Sequence, residues 1–544
     1  MKKSFWKRER KDEVDVLIVD GYVDEPSKLG VPPYISPEPR MIAGVLEEKK
    51  VDWEYITADE YRISGLPDSK IILVHGGVTV PGKYLSGTPL SIKEAKEIGR
   101  RNRETFLGGP LARYGDIEEF DHIVKKDLSA YFNDSLENKP RDRWVREEEK
   151  ERWLIKGAKV VEKHPMYPDP LIAEMSMYRG CPRYFTGGCD FCSEPEYGKP
   201  NFREKENIVK EIKALYDLEV KHFRMGGQSC TISYKAKKVG EKEVPIPQPA
   251  EIRKLFQKIW QSCPNIEVLH LDNANPAVIA NYPKKSKKIL QTLVRYTTPG
   301  NILALGLESA DPQVIEKNNL NSTPSMTKKA IELINEVGRE RGENGMPKLL
   351  PGVNFLGGLK GEREETFEKN FEFLKNLLAE NLWLRRINIR QVLSTEGKVQ
   401  VKNKPEFKKF KKKTREEIDR HLLKKMFPKG TVIKNVFMEK NDGKKTFGRQ
   451  IGTYPLLIGV EYPLDLNSYY NITVTDHGFR SITGIHHPLI VQKASFEQLK
   501  AVPGIGSKRA AKIFRERPES KEEFLQLFQN KKTGDELLKY LTFD

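Results

Sequence analysis

The chain reads as an α/β protein with a small β module and a pair of helices added behind it. Three observations predict this class. Apolar strand-like runs alternate with amphipathic helical runs from residue 14 to about residue 393, the pattern of parallel sheets covered by helices. From Gly430 the pattern changes to short strands punctuated by Gly and Pro, as in a small barrel. Near the end, two helical stretches flank Pro503-Gly504-Ile505-Gly506. At 544 residues, three or four domains are expected.

Composition narrows the function classes. The 94 Lys and Arg exceed the 77 Asp and Glu, giving a formal charge of +17 that attracts polyanions, nucleic acid foremost. No apolar run reaches the ~20 residues of a membrane span. The opening stretch Met1–Arg10 is charged and has no apolar segment behind it, so neither secretion nor a membrane partner is expected. Five cysteines, three of them clustered, suit a reducing, cytoplasmic setting.

In chain order, Val14–Asp20 is a buried strand followed by Gly21 and a Pro-rich loop. Residues 40–49 and 91–103 are helical. Trp53–Thr57, Lys70–Gly77 and Glu104–Gly109 are further strands, so residues 1–150 are expected to form one parallel α/β domain. Residues 111–165 are charged and irregular. They read as a solvated linker with an exposed helix over Asp142–Arg152.

The stretch from Met175 to Pro195 organises the rest. Cys181, Cys189 and Cys192 fall within twelve residues, and clustered thiolates in a reduced compartment point to a metal. Three thiolates leave a coordination position open, which is where chemistry happens. A structural zinc would need Cys230 or Cys263 as a fourth ligand. A disulfide would leave one cysteine of the group unexplained. A redox-active iron–sulfur cluster ranks ahead of both. Phe191 directly precedes the last cysteine, and a Gly-rich turn precedes the middle one.

Further strands follow. Val220–Met225 ends in Gly226-Gly227-Gln228, a turn that lets a ligand approach the backbone. Cys230 reads as an inert small apolar residue. Behind the helix 251–262, the strand beginning at Ile266 ends near His270 and Asp272, both read as satisfied polar groups. Asn301–Ser309 carries Glu308 at the end of an apolar strand, unusual unless the carboxylate is paired or binding something. Gly352–Thr366 brings Asn354 and then the carboxylates 362, 364 and 365 at a helix start. Trp383–Leu393 is the last strand of this part, the sixth.

With these motifs in this order, residues 170–396 resemble the core of the radical S-adenosylmethionine (radical SAM) superfamily. The resemblance implies a (β/α)6 partial TIM barrel over residues 165–397. It implies that Cys181, Cys189 and Cys192 hold a [4Fe–4S] cluster, with the methionine end of S-adenosylmethionine on the fourth iron. The spacing here is C-x7-C-x2-C where the family commonly has C-x3-C-x2-C. Phe191 belongs to the cofactor loop. Gly226 and Gly227 stand in the family's Gly-Gly-Glu-like turn, which binds the methionine amino group, with Gln228 as third residue. Glu308 and Asn354 stand where the family contacts the cofactor ribose, and Leu320 where one branch carries an arginine. The N-terminal domain is similar to the flavodoxin-like, cobalamin-binding type found ahead of many such cores. The motif Asp-x-His-x-x-Gly is not present, and the domain is read as a scaffold or substrate-recognition unit.

Residues 398–425 concentrate lysine, with Phe407 and Phe410 interleaved. They read either as a solvated helix or as a phosphate-binding face. The strands after Gly430 look like the TRAM type of OB-like barrel, expected over residues 426–490. Residues 491–544 are identified as a helix-hairpin-helix domain. Gly504 and Gly506 expose backbone N–H groups to a phosphate, and Lys508, Arg509 and Lys512 add charge on that side. The whole chain thus resembles an archaeal-type radical SAM protein with a C-terminal helix-hairpin-helix. That implies reductive cleavage of S-adenosylmethionine to a 5′-deoxyadenosyl radical and an electron-donor protein as partner, while the two C-terminal nucleic-acid-like modules on a chain of charge +17 point to RNA, tRNA foremost, as substrate. A small-molecule or protein substrate is the first rival reading. A non-catalytic nucleic-acid-binding protein with a structural metal is the second. Residues 1–180 hold no cysteine, so a second cluster of the kind methylthiotransferases carry is not expected.

Overall fold

The structure, a computed structural model, describes residues 13–22, 34–77, 87–392, 401–528 and 531–543. The charged N-terminal stretch, the Pro-rich loop after Gly21, Leu393 and the boundary expected at residue 397 lie outside them.

The N-terminal sheet contains β1 (Glu13–Gly21), β3 (Trp53–Thr57), β4 (Asp68–Gly76), β5 (Glu104–Gly108) and β6 (His122–Ile123). They are parallel in the order β3-β1-β4-β5-β6, the flavodoxin-like order, with its reversal of direction between β1 and β4. β1 is buried from Val16 to Gly21 and carries the apolar run Val16–Val19, as a central strand covered on both faces does.

The short β2 (Tyr34–Ile35) belongs elsewhere. It pairs in parallel with β7 (Ile172–Met175), followed in space by β10 (His222–Met225) and β11 (Val268–Leu271). β12 (Asn301–Glu308), β13 (Leu349–Gly357) and β14 (Arg386–Gln391) continue the series, and a bridge between Ala274 and Leu305 links the two sheets. The six core strands run parallel in sequential order, as a partial barrel requires. The added edge strand β2 was not foreseen, since two residues carry no periodic pattern. Between β7 and β10 the chain makes the small antiparallel pair β8 (Tyr178–Arg179) and β9 (Asn201–Phe202).

The expected solvated linker is instead a packed joint. Residues 111–165 form helices at Leu128–Leu136 and Glu147–Lys156, and Trp153 in the second is only 1% exposed. This helix crosses the helix Pro37–Lys49 at backbone contact. A Cβ on Gly44 would meet the Trp153 carbonyl oxygen at 2.1 Å, and one on Gly157 the Arg40 carbonyl oxygen at 1.8 Å. Below the crossing, Arg40 and Arg203 share Glu211, and Arg203 also holds Glu151. Buried charges persist when paired in this way. The run Glu147–Arg152 looked exposed because some of its charges point inward to partners that sequence cannot supply.

The lysine-rich segment is likewise revised. It forms helices at Lys404–Lys413 and Arg420–Met426 with a π-helical stretch between them. Phe407 and Phe410 are buried against Phe367 and Phe355. They are core residues and not surface aromatics among lysines, because their spacing of three puts both on the inner face.

A closed barrel follows: β15 (Val432–Asp442), β16 (Lys445–Gln450), β17 (Leu457–Val460), β19 (Ser481–His487) and β18 (Tyr469–His477) in spatial order. Its pairs are antiparallel except β17 with β19. Short helices at Phe496–Lys500, Ser507–Glu516, Lys521–Gln526 and Lys531–Leu538 complete the chain. One hydrophobic cluster runs from Val16 to Leu541, so the modules share a continuous core. Among the described residues no helix is long and apolar enough to cross a membrane.

Candidate active site

The cysteine loop leaves the carboxyl end of β7 and returns through β9. Its neck is closed by the β8–β9 pair, and there Gly180 (φ +97°) is required: a Cβ would lie 2.7 Å from the Gly198 carbonyl oxygen. Cys181 and Cys189 are partly buried and Cys192 is exposed. The Cys192 amide donates to the Cys189 carbonyl at 2.9 Å, a tight turn that sets these two side by side. No disulfide forms.

Arg183 is the residue that sequence reasoning missed. It is 3% exposed, inside the seven-residue spacer. Its amide donates to the Cys181 sulfur (3.4 Å) and its guanidinium to the Cys189 sulfur (3.2 Å). The same guanidinium holds Glu243 at 2.6 Å and Asn319 at 3.0 Å. The long spacer therefore carries its own buried cation, and its unusual length was the available signal. Burial pushes the Cys189 thiol up to about 11, and the Arg183 charge opposes that shift. Burial also raises Cys181. A bound metal reverses this balance.

The segments after β12 and β13 pin the loop from outside. Asn319 donates to the Gly188 carbonyl (2.6 Å), Asn318 accepts from the Asp190 amide (3.2 Å), and Lys360 pairs with Asp190 at 2.6 Å. Leu320 lies directly beside these contacts. Glu308 sits at a bulge in β12 with φ +65°, a strained conformation for a non-glycine residue, and its carboxylate raises the Cys189 thiol.

Gly226 and Gly227 form the turn after β10, both amides donating to the Met175 carbonyl at 3.2 and 3.1 Å. A Cβ on Gly227 would strike the Ser176 Cβ at 2.9 Å. Gln228 faces inward. It accepts from the Met177 amide and donates to the Met225 carbonyl, buttressing the loop's first residues. Phe191 is half-buried on the loop. Cys230 is buried and accepts from the Asn275 amide, and Cys263 is buried at the end of a helix.

A polar network fills the barrel lumen. Arg224 pairs with Asp272 at 2.5 Å, and Asn388 donates to Asn354 at 2.9 Å. Tyr454, from the loop between β16 and β17, enters this lumen. Its hydroxyl donates to Asp272 (2.7 Å) and its ring lies under Arg386 (4.0 Å). The adjacent Thr453 amide donates to His270 (3.2 Å), whose pKa burial pushes down to about 4. His270 and Asp272 thus bind the β module to the core. Nothing in the sequence around Tyr454 indicated this.

The residues fit a three-thiolate cluster with an open coordination position. Three soft donors lie on one loop, two of their sulfurs accept N–H bonds as cluster thiolates do, and a glycine cradle stands beside them. Among the described residues no three His, Cys, Asp or Glu side chains gather as the ligands of one ion. A cluster spreads its thiolates over separate irons and has no need of that convergence.

At the far end, Gly504 (φ +88°) makes the hairpin turn, Gly506 caps the helix Ser507–Glu516, and a Cβ on Gly506 would meet nothing within 4 Å. Lys508 is exposed. Arg509 donates to the Gly504 carbonyl (2.6 Å) and Lys512 to the Leu527 carbonyl (3.0 Å).

Two family models and several known proteins match parts of the chain. Residues 175–374 match the model of the radical SAM superfamily and residues 491–527 that of the helix-hairpin-helix motif. An uncharacterised protein of Methanocaldococcus jannaschii is 46% identical over 503 residues, which cover 86% of this chain and 92% of the relative. A tRNA-2-methylthio-N(6)-dimethylallyladenosine synthase of Acinetobacter baylyi is 24% identical over 222 residues, 40% of this chain and 41% of the relative. A solved radical S-adenosylmethionine methyltransferase, TsrM from Kitasatospora setae, aligns with a TM-score of 0.44 and 14% identity over 69% of this chain and 72% of that one.

Proposed function

The chain belongs to the radical SAM superfamily, an enzyme of that class working with a [4Fe–4S] cluster and S-adenosylmethionine, and we propose that it modifies RNA, tRNA foremost. The observation that carries this reading is the helix-hairpin-helix match on a chain of charge +17. The distant likeness to a tRNA-modifying enzyme and the closed five-stranded barrel support it.

Cys181, Cys189 and Cys192 hold the cluster, on the loop that Arg183, Asn318 and Asn319 fix. A cluster held there would supply the single electron for reductive cleavage of S-adenosylmethionine to methionine and a 5′-deoxyadenosyl radical. The Gly226-Gly227 turn takes the methionine amino group, Glu308 and Asn354 the ribose, and Phe191 lines the loop. Arg224, held by Asp272 and through it by Tyr454, steadies the strand that ends in that turn. Gly504 and Gly506 offer backbone N–H groups to an RNA phosphate, with Lys508, Arg509 and Lys512 around them. A cytoplasmic electron-donor protein supplies the reducing equivalents.

Mass spectrometry of nucleosides from total tRNA of a deletion strain tests this. One modified nucleoside is expected to disappear and to return on complementation. An unchanged nucleoside profile in tRNA and in other RNA would remove the reading.

A further inference from the structure

A cavity of about 430 Å³ lies between the N-terminal sheet and the cysteine loop. One wall is the carboxyl edge of the sheet: His75 at the end of β4, then Arg113 and Tyr114 behind β5. The opposite wall contains Ser176, Ser193 and Gly227, neighbours of the cofactor turn and of Cys192. Glu147 and Lys150 come from the helix that forms the joint. In open α/β sheets, ligands bind at the carboxyl edge where strand order reverses, and β1 and β4 flank that point here.

The walls carry polar atoms whose hydrogen-bonding capacity is unused among the described residues. Both ring nitrogens of His75, the Tyr114 hydroxyl and one Glu147 carboxylate oxygen are buried and make no hydrogen bond among the described residues. His75 is only 5% exposed. Buried polar groups are nearly always paired, so a group of orphans around one cavity points to a ligand.

The charges indicate its sign. Lys150, 8% exposed, feels Glu147, Glu151 and Glu211 but forms an ion pair with none of them. Arg113 lies over the Trp144 ring at 4.4 Å and donates to the Lys125 carbonyl, again without a carboxylate partner among the described residues. Apart from that Glu147 oxygen, the acids are better served: Glu38 faces His75 at 4.0 Å, Asp127 accepts from the Val145 amide at 2.6 Å, and Glu174 lies 3.8 Å from Arg224. Unspent donors and cations therefore face the cavity, beside a stacked guanidinium of the kind on which bases rest.

We propose that this cavity receives one nucleotide of the RNA substrate, turned out of its strand, with its phosphate against Lys150 and Arg113 and its base edge against His75, Tyr114 and Glu147. Enzymes that act on a base extrude it into such a pocket. The proposal rests on the RNA reading above.

The test uses the full-length, cluster-reconstituted chain. The four 5′-nucleoside monophosphates, their nucleosides and inorganic phosphate are titrated by equilibrium dialysis, with tRNA transcript retention measured in parallel. One monophosphate should bind about tenfold or more tightly than its nucleoside, as a charge-assisted contact provides. Lys150→Met should abolish that difference. Tyr114→Phe, which removes a single oxygen, should weaken the preferred monophosphate several-fold and carries the test should Lys150→Met fail to fold. Retention of tRNA without any preference among mononucleotides overturns the cavity assignment alone. Equal monophosphate binding by the wild type and both variants does the same. Failure of the wild type to retain tRNA overturns the RNA reading, and this assignment with it.

Discussion

The cysteine loop and the C-terminal hairpin are both glycine-bent turns with an arginine folded back on them, but they are held in opposite ways. Arg183 reaches Glu243 and Asn319, 60 and 136 residues away in the chain. Arg509 reaches the Gly504 carbonyl five residues away. The first turn is set by distant parts of the core, and the second sets itself. A loop that presents three thiolates to one inorganic group must hold them in fixed relation, and local bonding cannot do that over a seven-residue spacer. A turn that offers N–H groups to a phosphate needs only its own helix start and an open surface.

That contrast can be broken or sharpened by mutation. The largest effect is expected from Cys189→Ala, which should lose the iron–sulfur absorbance altogether on anaerobic reconstitution. Cys263→Ala should keep about four irons per chain. A variant Cys189→Ala with full iron content, or a wild type carrying about eight irons, would contradict the single-cluster assignment.

Next comes Arg183→Leu. Removing a buried cation that serves the Cys189 sulfur, a carboxylate and an amide should destabilise the protein by about 3 kcal/mol, while the backbone bond to Cys181 stays. Urea unfolding checks this, and iron retention should fall as well. The equivalent change in the hairpin, Arg509→Leu, should cost less than about 1 kcal/mol, because its partner is a solvated carbonyl. Similar losses in both would mean that the two turns are held alike.

The smallest effect belongs to Lys508→Ala. Iron content and unfolding should be unchanged, and tRNA affinity should fall by a similar factor for every transcript tested. The slope of log affinity against log salt should become shallower by about 0.9, the release of counterions at one phosphate. An unchanged slope would separate Lys508 from the phosphate contact.

Much of the fold was legible because its signals are local. β1, β4 and β12 each carry an uninterrupted apolar run that reads as a strand, and the Pro-Gly-Ile-Gly hairpin carries its own geometry. The three cysteines point to a metal by residue type and spacing. Where pattern and packing disagreed, pattern misled. One face of the charged helix Glu147–Lys156 is buried, its Glu151 paired with Arg203, and Phe407 and Phe410 belong to the core although lysines surround them. Tyr34 and Ile35 gave no sign of joining the catalytic sheet, since a two-residue strand exists only through its neighbour β7.

The sequence alone determined the class of the protein, the order of its modules and the chemistry of its loop, because residue type, period and spacing are properties of the chain itself. Tertiary structure decided what surrounds that chemistry. It brought Arg183 to two sulfurs, sent Tyr454 from the β module to Asp272 in the lumen of another sheet, and opened a cavity lined by His75, Tyr114 and Glu147. Each of these depends on side chains far apart in sequence meeting within a few ångströms, and only the closing of the common core fixes such meetings.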